Sequence, residues 1–155
     1  MTFATPQADT PLCGGCREYG RCRLGVGPLV RDGMATRAEL TCAEQFHAGP
    51  HVAHGGWTAA VFDDVMGRSL IARGIKAVTG SLTVDFLKPV PVNEPLAMAV
   101  SIDRQEGRRW MVSATLSLAR GDAPLARANG VWVERRPDHF ERHEAKMEAY
   151  RDATG

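Results

Sequence analysis

The stretch HGGWTAAVFD, residues 54–63, decides the fold of this 155-residue chain. Two glycines stand where a helix would begin, and the carboxylate of Asp63 follows His54 by about two and a half turns. Backbone N–H groups at Gly55 and Gly56 can come close to a ligand, because glycine has no Cβ. These N–H groups lie at the positive end of the helix dipole, where they would stabilise negative charge on a carbonyl oxygen. Asp63 could then serve as a base or a nucleophile.

The spacing of the two groups predicts how they would meet. Gly55 and Asp63 are separated by roughly 12 Å along the helix axis, at 1.5 Å per residue. A single carbonyl group cannot contact both. If they cooperate, Asp63 must come from a second copy of the helix packed antiparallel to the first. This geometry predicts a two-fold dimer with sites at its interface.

Length and charge restrict the class of protein. A chain of 155 residues is expected to form one domain with its own core. Its 19 basic and 18 acidic residues leave a net charge of +1, so neither nucleic acid nor a membrane is an expected partner. The sequence has no apolar run long enough for a spanning helix and no signal-peptide pattern at its start. We therefore expect a cytoplasmic protein whose cysteines are reduced thiols or ligands and not disulfides.

Hydrophobic periodicity predicts one long helix and a mostly antiparallel sheet. The helix is expected from residue 55 to 73, ending before Gly74. One strand is expected at 37–46, and four strands with period two follow the helix as a meander, with turns at 106–107 and 121–122. The predicted parts are a flexible N-terminal segment with a cysteine knuckle (1–36), a main domain (37–136) and a C-terminal helix (137–155). Asp138 is expected to cap that last helix, which would pack on the body or on a neighbour.

Two segments carry a resemblance to a known family. AGPHVAHGGWTAAVFDDVMG (48–67), followed by TGSLTVDFLKPVPV (79–92), resembles the PaaI-type branch of the hotdog-fold acyl-CoA thioesterases, over roughly residues 37–134. The resemblance implies an α+β hotdog fold, in which an antiparallel sheet wraps around one central helix. It also implies a homodimer or a dimer of dimers that hydrolyses acyl-CoA to a carboxylate and CoA, with no required cofactor.

The resemblance also implies roles for the catalytic residues. Asp63 would be the nucleophile or general base, and the N–H of Gly55 would bind the carbonyl oxygen. The hydroxyl of Thr79 would hold the attacking water, and His54 would orient its loop or contact the substrate. From its place on the helix, Asp63 is expected to be buried without a local partner, which is costly for a carboxylate unless it has a function or a tertiary partner such as a backbone or hydroxyl group. Asp64 is instead interpreted as a structural partner of Arg68, four residues on.

Further residues are candidates for substrate binding. The acyl group would lie among apolar side chains, and a CoA phosphate would meet a basic one. The candidates are Gly56, Trp57, Met66, Phe86 and Lys88. Some members of the family carry an asparagine six residues before the histidine, where this chain has Ala48. His47 or His51 could take that place.

The cysteines near the N-terminus allow two interpretations. Cys13 and Cys16 form a C-x-x-C knuckle that could hold a structural zinc ion with Cys22 and either Cys42 or His47. Zinc sites usually pair two such knuckles and only one is present, so free thiols are the preferred interpretation. A redox role is less favoured, since no βαβ pattern surrounds the motif.

Two other functions remain open. A hotdog protein could hydrate or dehydrate an acyl thioester, for which His54 and Asp63 would have to converge across the interface. A protein that binds acyl-CoA or an aromatic ligand without turnover is the other alternative. Loss of Asp63 should then leave the affinity for the ligand nearly intact.

Overall fold

The computed structural model describes residues 11–155. Short 3-10 helices lie at Gly14–Tyr19 and Glu44–Phe46. The helices and strands follow one another as β1 (Val26–Asp32), β2 (Ala35–Leu40), β3 (His47–Gly49), β4 (Val52–Ala53), α1 (Gly55–Ile71), β5 (Ala77–Phe86), β6 (Leu96–Glu106), β7 (Arg109–Leu118), β8 (Pro124–Glu134) and α2 (His139–Thr154).

Six strands form one antiparallel sheet in the order β1-β2-β6-β7-β8-β5, and β3 pairs with β4 in a small second sheet. This confirms the predicted α+β architecture of an antiparallel sheet and one central helix. The predicted four-stranded meander is wrong in one respect, because β5 pairs with β8 instead of β6. Of the four strands that follow α1, β6, β7 and β8 are joined by hairpin turns, whereas residues 87–95, between β5 and β6, carry three prolines and cross to the other part of the sheet.

The first strand was not expected. The sequence from 13 to 28 is rich in glycine and cysteine and predicts irregular structure, yet β1 pairs with β2 along the edge of the sheet. Gly27 and Pro28 interrupt the alternation of apolar residues that would reveal it. A Cβ on Gly27 would lie 2.9 Å from the carbonyl oxygen of Glu39, so glycine is needed for this pairing. The predicted strand at 37–46 ends at Leu40, where a loop leads to the second 3-10 helix. The division into domains stays a prediction.

Helix α1 lies against the sheet and supplies much of the core. It ends two residues before the predicted position, and Gly74, where the helix was expected to stop, has a left-handed conformation with φ +77°. The indole of Trp132, which is 1% exposed, packs between the sheet and the helix. A Cβ on Gly67 would lie 3.2 Å from its ring nitrogen. Glycine at this position therefore lets α1 approach the sheet closely.

The C-terminal helix α2 is where predicted, but it does not pack on the body of the chain. None of its residues is buried, and the side chain of Asp138 does not cap it. The guanidinium of Arg135 lies 4.8 Å from the centre of the Phe140 ring. Packing on a neighbour is the part of the prediction that stays open. Neither α1 nor α2, within residues 11–155, combines the length and apolar character needed to cross a bilayer.

Candidate active site

His54 caps the start of α1 with its side chain. Its φ and ψ of −59° and 134° lie outside the helix, and its Nδ1 accepts a 2.8 Å hydrogen bond from the N–H of Gly56. Nδ1 must be unprotonated to accept, so the ring proton of the neutral imidazole is on Nε2. A Cβ on Gly56 would lie 3.0 Å from that Nδ1, which explains the second glycine. The prediction that His54 orients its loop fits this cap.

The cap leaves one N–H group of the first turn available. The N–H groups of Trp57 and Thr58 both donate to the carbonyl of His54, at 2.9 and 3.2 Å, and that of Gly56 is taken by the imidazole. Within residues 11–155 the N–H of Gly55 has no acceptor, and Gly55 is exposed. A polarised donor at a helix N-terminus is suited to bind a carbonyl oxygen that gains negative charge.

Asp63 lies at the surface of the chain, next to the edge strand β5. The expectation that it is buried is wrong for a single chain, whereas the tertiary hydroxyl partner left open by the sequence is present. Its Oδ1 accepts a 2.6 Å hydrogen bond from the hydroxyl of Thr79, which is also exposed. Position 63 is on the side of α1 that faces β5, so the carboxylate reaches the sheet edge and not the core. The structure thus brings together two of the four predicted catalytic residues.

The other two predicted catalytic residues, His54 and Gly55, lie at the N-terminal end of α1. Because α1 is a regular helix from Gly55 onward, Asp63 stands about 12 Å along the axis from Gly55 and about 13 Å from His54. The four residues therefore lie as two separate pairs within one chain, His54 with Gly55 and Asp63 with Thr79.

Asp64 has the structural role expected of it. Its Oδ2 accepts two hydrogen bonds from the guanidinium of Arg68, at 2.7 and 3.0 Å. The Arg68 side chain is 7% exposed and that of Asp64 is 13% exposed. The carboxylate of Asp64 therefore neutralises a nearly buried cation, whereas the carboxylate of Asp63 is bound by a neutral hydroxyl.

The predicted substrate-binding residues are in different environments. Phe86 is exposed, and its ring lies beside Gly55, since a Cβ there would be 3.6 Å from the ring. Lys88 follows two residues later and is also exposed. Trp57 is buried, with its indole N–H donating to the carbonyl of Leu24 at 3.0 Å. Met66 is fully buried in the core. Their roles in binding stay predictions, and only Met66 has no exposed surface to offer a ligand.

A shallow groove of about 320 Å³ runs along the start of α1. His54, Gly56 and Trp57 contribute to it, so three predicted residues meet there. The remaining lining residues are Leu24, Gln45, Phe46, His47 and Ala60. His47 was already considered in place of the asparagine, whereas Leu24, Gln45 and Phe46 were missed by sequence reasoning, because only the fold brings them against the helix.

The two histidines considered as substitutes for the asparagine have local structural roles. A ring nitrogen of His47 lies 2.7 Å from the carbonyl oxygen of Glu44. His51 adopts a left-handed backbone with φ 62°, and its carbonyl accepts the N–H of Val92. Ala48 between them is exposed. How this loop would contact a substrate stays a prediction.

The cysteines do not assemble as a metal site. Among residues 11–155 no group of three or more histidine, cysteine or acidic side chains is placed to hold a metal ion. Cys42 is fully buried after β2, where its thiol contacts the carbonyl of Ala43, whereas Cys13 is exposed. Burial raises the pKa of the Cys42 thiol to about 11. The zinc interpretation therefore has no support in the described part of the chain.

Comparison with known proteins points to one family. The model of the thioesterase superfamily matches residues 51–124. The chain is 26% identical over 128 residues to human acyl-coenzyme A thioesterase THEM5, covering 78% of this chain and 52% of that protein. It is 27% identical over 89 residues to rat acyl-coenzyme A thioesterase THEM4, covering 57% and 38%. The chain thus spans about half or less of the length of these relatives.

Solved structures show the same fold. The PaaI protein of Escherichia coli, from the phenylacetic acid degradation operon, superposes with a TM-score of 0.69 at 18% identity, covering 80% of this chain and 86% of that one. A Streptococcus mutans protein solved with bound acetyl CoA superposes with a TM-score of 0.66 at 18% identity, covering 75% and 95%. The chain therefore has a hotdog fold like that of the PaaI protein, and its residues 51–124 match the model of the thioesterase superfamily.

Proposed function

We propose that this protein is an acyl-CoA thioesterase, which hydrolyses an acyl-CoA thioester to a free carboxylate and CoA between two copies of the chain. One observation carries the proposal. Helix α1 holds an unengaged N–H donor at Gly55 and an accessible carboxylate at Asp63, too far apart to act on the same carbonyl within one chain.

The edge strand β5 supports the arrangement as a dimer. Among residues 11–155 it has a neighbour on one side only, β8, and it carries the threonine that binds Asp63. An open edge with small exposed residues such as Gly80 and Ser81 is a ready place for a second strand. A second copy that joins there about a two-fold axis would bring its own α1 antiparallel to the first. A dimer of such dimers is compatible with the same interface.

In the proposed reaction, the thioester carbonyl oxygen accepts the hydrogen bond of the Gly55 N–H. Asp63 of the partner subunit either takes a proton from water, which attacks the carbonyl carbon, or attacks that carbon directly to give an anhydride that water then opens. In both routes a tetrahedral intermediate collapses, the C–S bond breaks, and the CoA thiolate leaves and is protonated. Thr79 holds the carboxylate in place, or the water beside it. The route needs no cofactor.

Substrate contacts follow from the surroundings of Gly55. The ring of Phe86 borders the N–H, and the groove beside Trp57 continues along the helix. These apolar surfaces would take the acyl chain or the pantetheine arm. Lys88, exposed on the same segment as Phe86, would contact a CoA phosphate as a point charge. The four cysteines are free thiols, which fits the proposed cytoplasmic location.

Thiol release from short, long and aromatic acyl-CoAs tests the proposal. We expect turnover by the wild type, and a fall of about 10² or more in a dimeric, folded Asp63→Asn variant. Asp64→Asn is the matched control for a change of carboxylate, provided that thermal unfolding shows it folded, because it leaves the nearly buried Arg68 without its charged partner. Equal activity of wild type and Asp63→Asn would exclude the proposed mechanism. Binding of acyl-CoA by the wild type without any thiol release would instead favour a binding protein.

A further inference from the structure

The cysteine knuckle has no part in the proposed reaction, yet its local structure is unlike that of an ordinary surface loop. The N–H of Cys16 donates to the carbonyl of Cys13 at 3.0 Å, which closes a tight turn at the start of the first 3-10 helix. Residues three apart in such a turn have Cα atoms less than about 7 Å apart. This is within the range that a disulfide spans.

Arg23 stabilises negative charge on one of the two sulfurs. Its backbone N–H donates to the Sγ of Cys16 at 3.4 Å, and its guanidinium lies against Gly15, where a Cβ would be 3.0 Å from the Nη2 atom. The ring of Tyr19 holds the guanidinium from the other side, 4.7 Å from its centre. The N–H and guanidinium of Arg23 and the thiol of Cys13 together lower the pKa of the Cys16 thiol.

The two cysteines also differ in access. Cys13 is exposed, whereas Cys16 is buried behind it. Partial desolvation and a hydrogen bond between the two sulfurs raise the pKa of the Cys13 thiol. An incoming reagent thus meets Cys13 first, and the sulfur behind it is the one held as a better nucleophile.

We propose that Cys13 and Cys16 form a redox modification site that exchanges with low-molecular-weight disulfides. The thiolate of Cys13 attacks the disulfide RS–SR, giving a mixed disulfide Cys13–S–SR and releasing RS⁻. The thiolate of Cys16 then attacks the Cys13 sulfur, which forms the Cys13–Cys16 disulfide and releases the second RS⁻. The two cysteines lose two electrons and two protons, and RS–SR is reduced to two thiols.

The buried cysteines serve as internal comparisons. Cys42 lies in the core and its thiol resists ionisation, because burial raises its pKa to about 11. Cys22 is also buried, at 7% exposure. Neither is open to a reagent in the folded chain, so the site is confined to one pair of the four cysteines.

Incubation of the folded, full chain with glutathione disulfide, followed by intact mass measurement and peptide mapping, tests the proposal. The wild type should lose two hydrogens, with the bond mapped between Cys13 and Cys16 and reversed by dithiothreitol. Cys16→Ser should stop at the mixed disulfide, with one glutathione on Cys13. Cys13→Ser should take up no glutathione in the same time. Cys42→Ala, if its thermal unfolding shows it folded, should behave as wild type.

Three results would overturn the site. They are a wild type that stays fully reduced at equilibrium, a disulfide that maps to Cys22 or Cys42, and a Cys16→Ser variant that reacts at positions other than Cys13. Since none of these readouts uses thioester turnover, the proposal stands or falls independently of the proposed enzymatic function.

Discussion

The hydroxyl of Thr79 donates a 2.6 Å hydrogen bond to the carboxylate of Asp63, and so links the edge strand β5 to the central helix across sixteen residues of sequence. Both side chains are exposed in the single chain. The bond fixes the direction of the carboxylate toward the sheet edge. An accessible acid held by one neutral partner is suited to accept a proton or attack a carbonyl, whereas Asp64 is occupied by Arg68.

Thr79→Val tests this contact, because it removes the hydroxyl but keeps the shape and the β-branch. We expect kcat to fall about tenfold or more, with little change in KM, since the hydroxyl orients the catalytic group without holding the bulk of the substrate. Thr79→Ser should restore most of the rate. A Thr79→Ser variant as slow as Thr79→Val would show that the hydroxyl does not position Asp63.

The N–H of Gly55 can be removed by a single substitution. Proline is favoured at the first position of a helix and lacks the N–H group. His54 already has φ −59° and ψ 134°, which suit the residue before a proline. We expect Gly55→Pro to lower kcat by about 10² to 10³, the cost of losing one donor to a developing oxyanion. Circular dichroism should show that the helix is retained.

Gly55→Ala is the matched control, since it keeps the N–H and adds a Cβ at ordinary contact distance from Phe86. This variant should keep most of the activity. Equal rates for Gly55→Pro and wild type would exclude the N–H as the oxyanion donor.

His54 offers a test between capping and acid–base chemistry. Loss of the cap in His54→Ala should cost about 1 kcal/mol of stability, measured by chemical denaturation. Asparagine is among the best N-cap residues, so His54→Asn should restore the stability and leave turnover near that of wild type. A stable His54→Asn variant with turnover reduced by about 10² or more would instead assign the imidazole a proton transfer, as the hydratase alternative requires.

The buried thiol of Cys42 predicts a loss of stability at alkaline pH. Its pKa rises from 9.0 to about 11 in the folded state, so the unfolded chain loses this proton first as the pH increases. The resulting contribution is present below pH 9 and is lost as the pH rises to about 11. Urea unfolding of wild type and Cys42→Ala across this range measures the effect. The free energy of unfolding, plotted against pH, should fall more steeply for wild type than for Cys42→Ala between pH 9 and about 11. Parallel plots for the two proteins would contradict the assignment.

Local sequence signals predicted the parts of this structure that depend on local interactions. Helix α1 follows from its glycines, its apolar spacing and Gly74, and β6, β7 and β8 follow from period-two alternation and short turns. The partner of β5 was not predictable, because a strand's neighbour depends on how residues 87–95 cross the sheet. The exposure of Asp63 was also missed. Asp63 lies on the side of α1 that faces β5. This side is exposed because β5 is an edge strand, which only the strand order of the folded sheet shows.

Heterodimers made from differently tagged chains test the central claim, that Gly55 and Asp63 of different chains form one site. A dimer of a Gly55→Pro chain and an Asp63→Asn chain would hold one intact site, and should recover about half of the wild-type rate although each variant alone is nearly inactive. A dimer of wild type and a chain with both changes should be nearly inactive, because each site then lacks one group. The reverse pattern, with activity only in the second dimer, would place both groups of each site on the same chain and contradict the account.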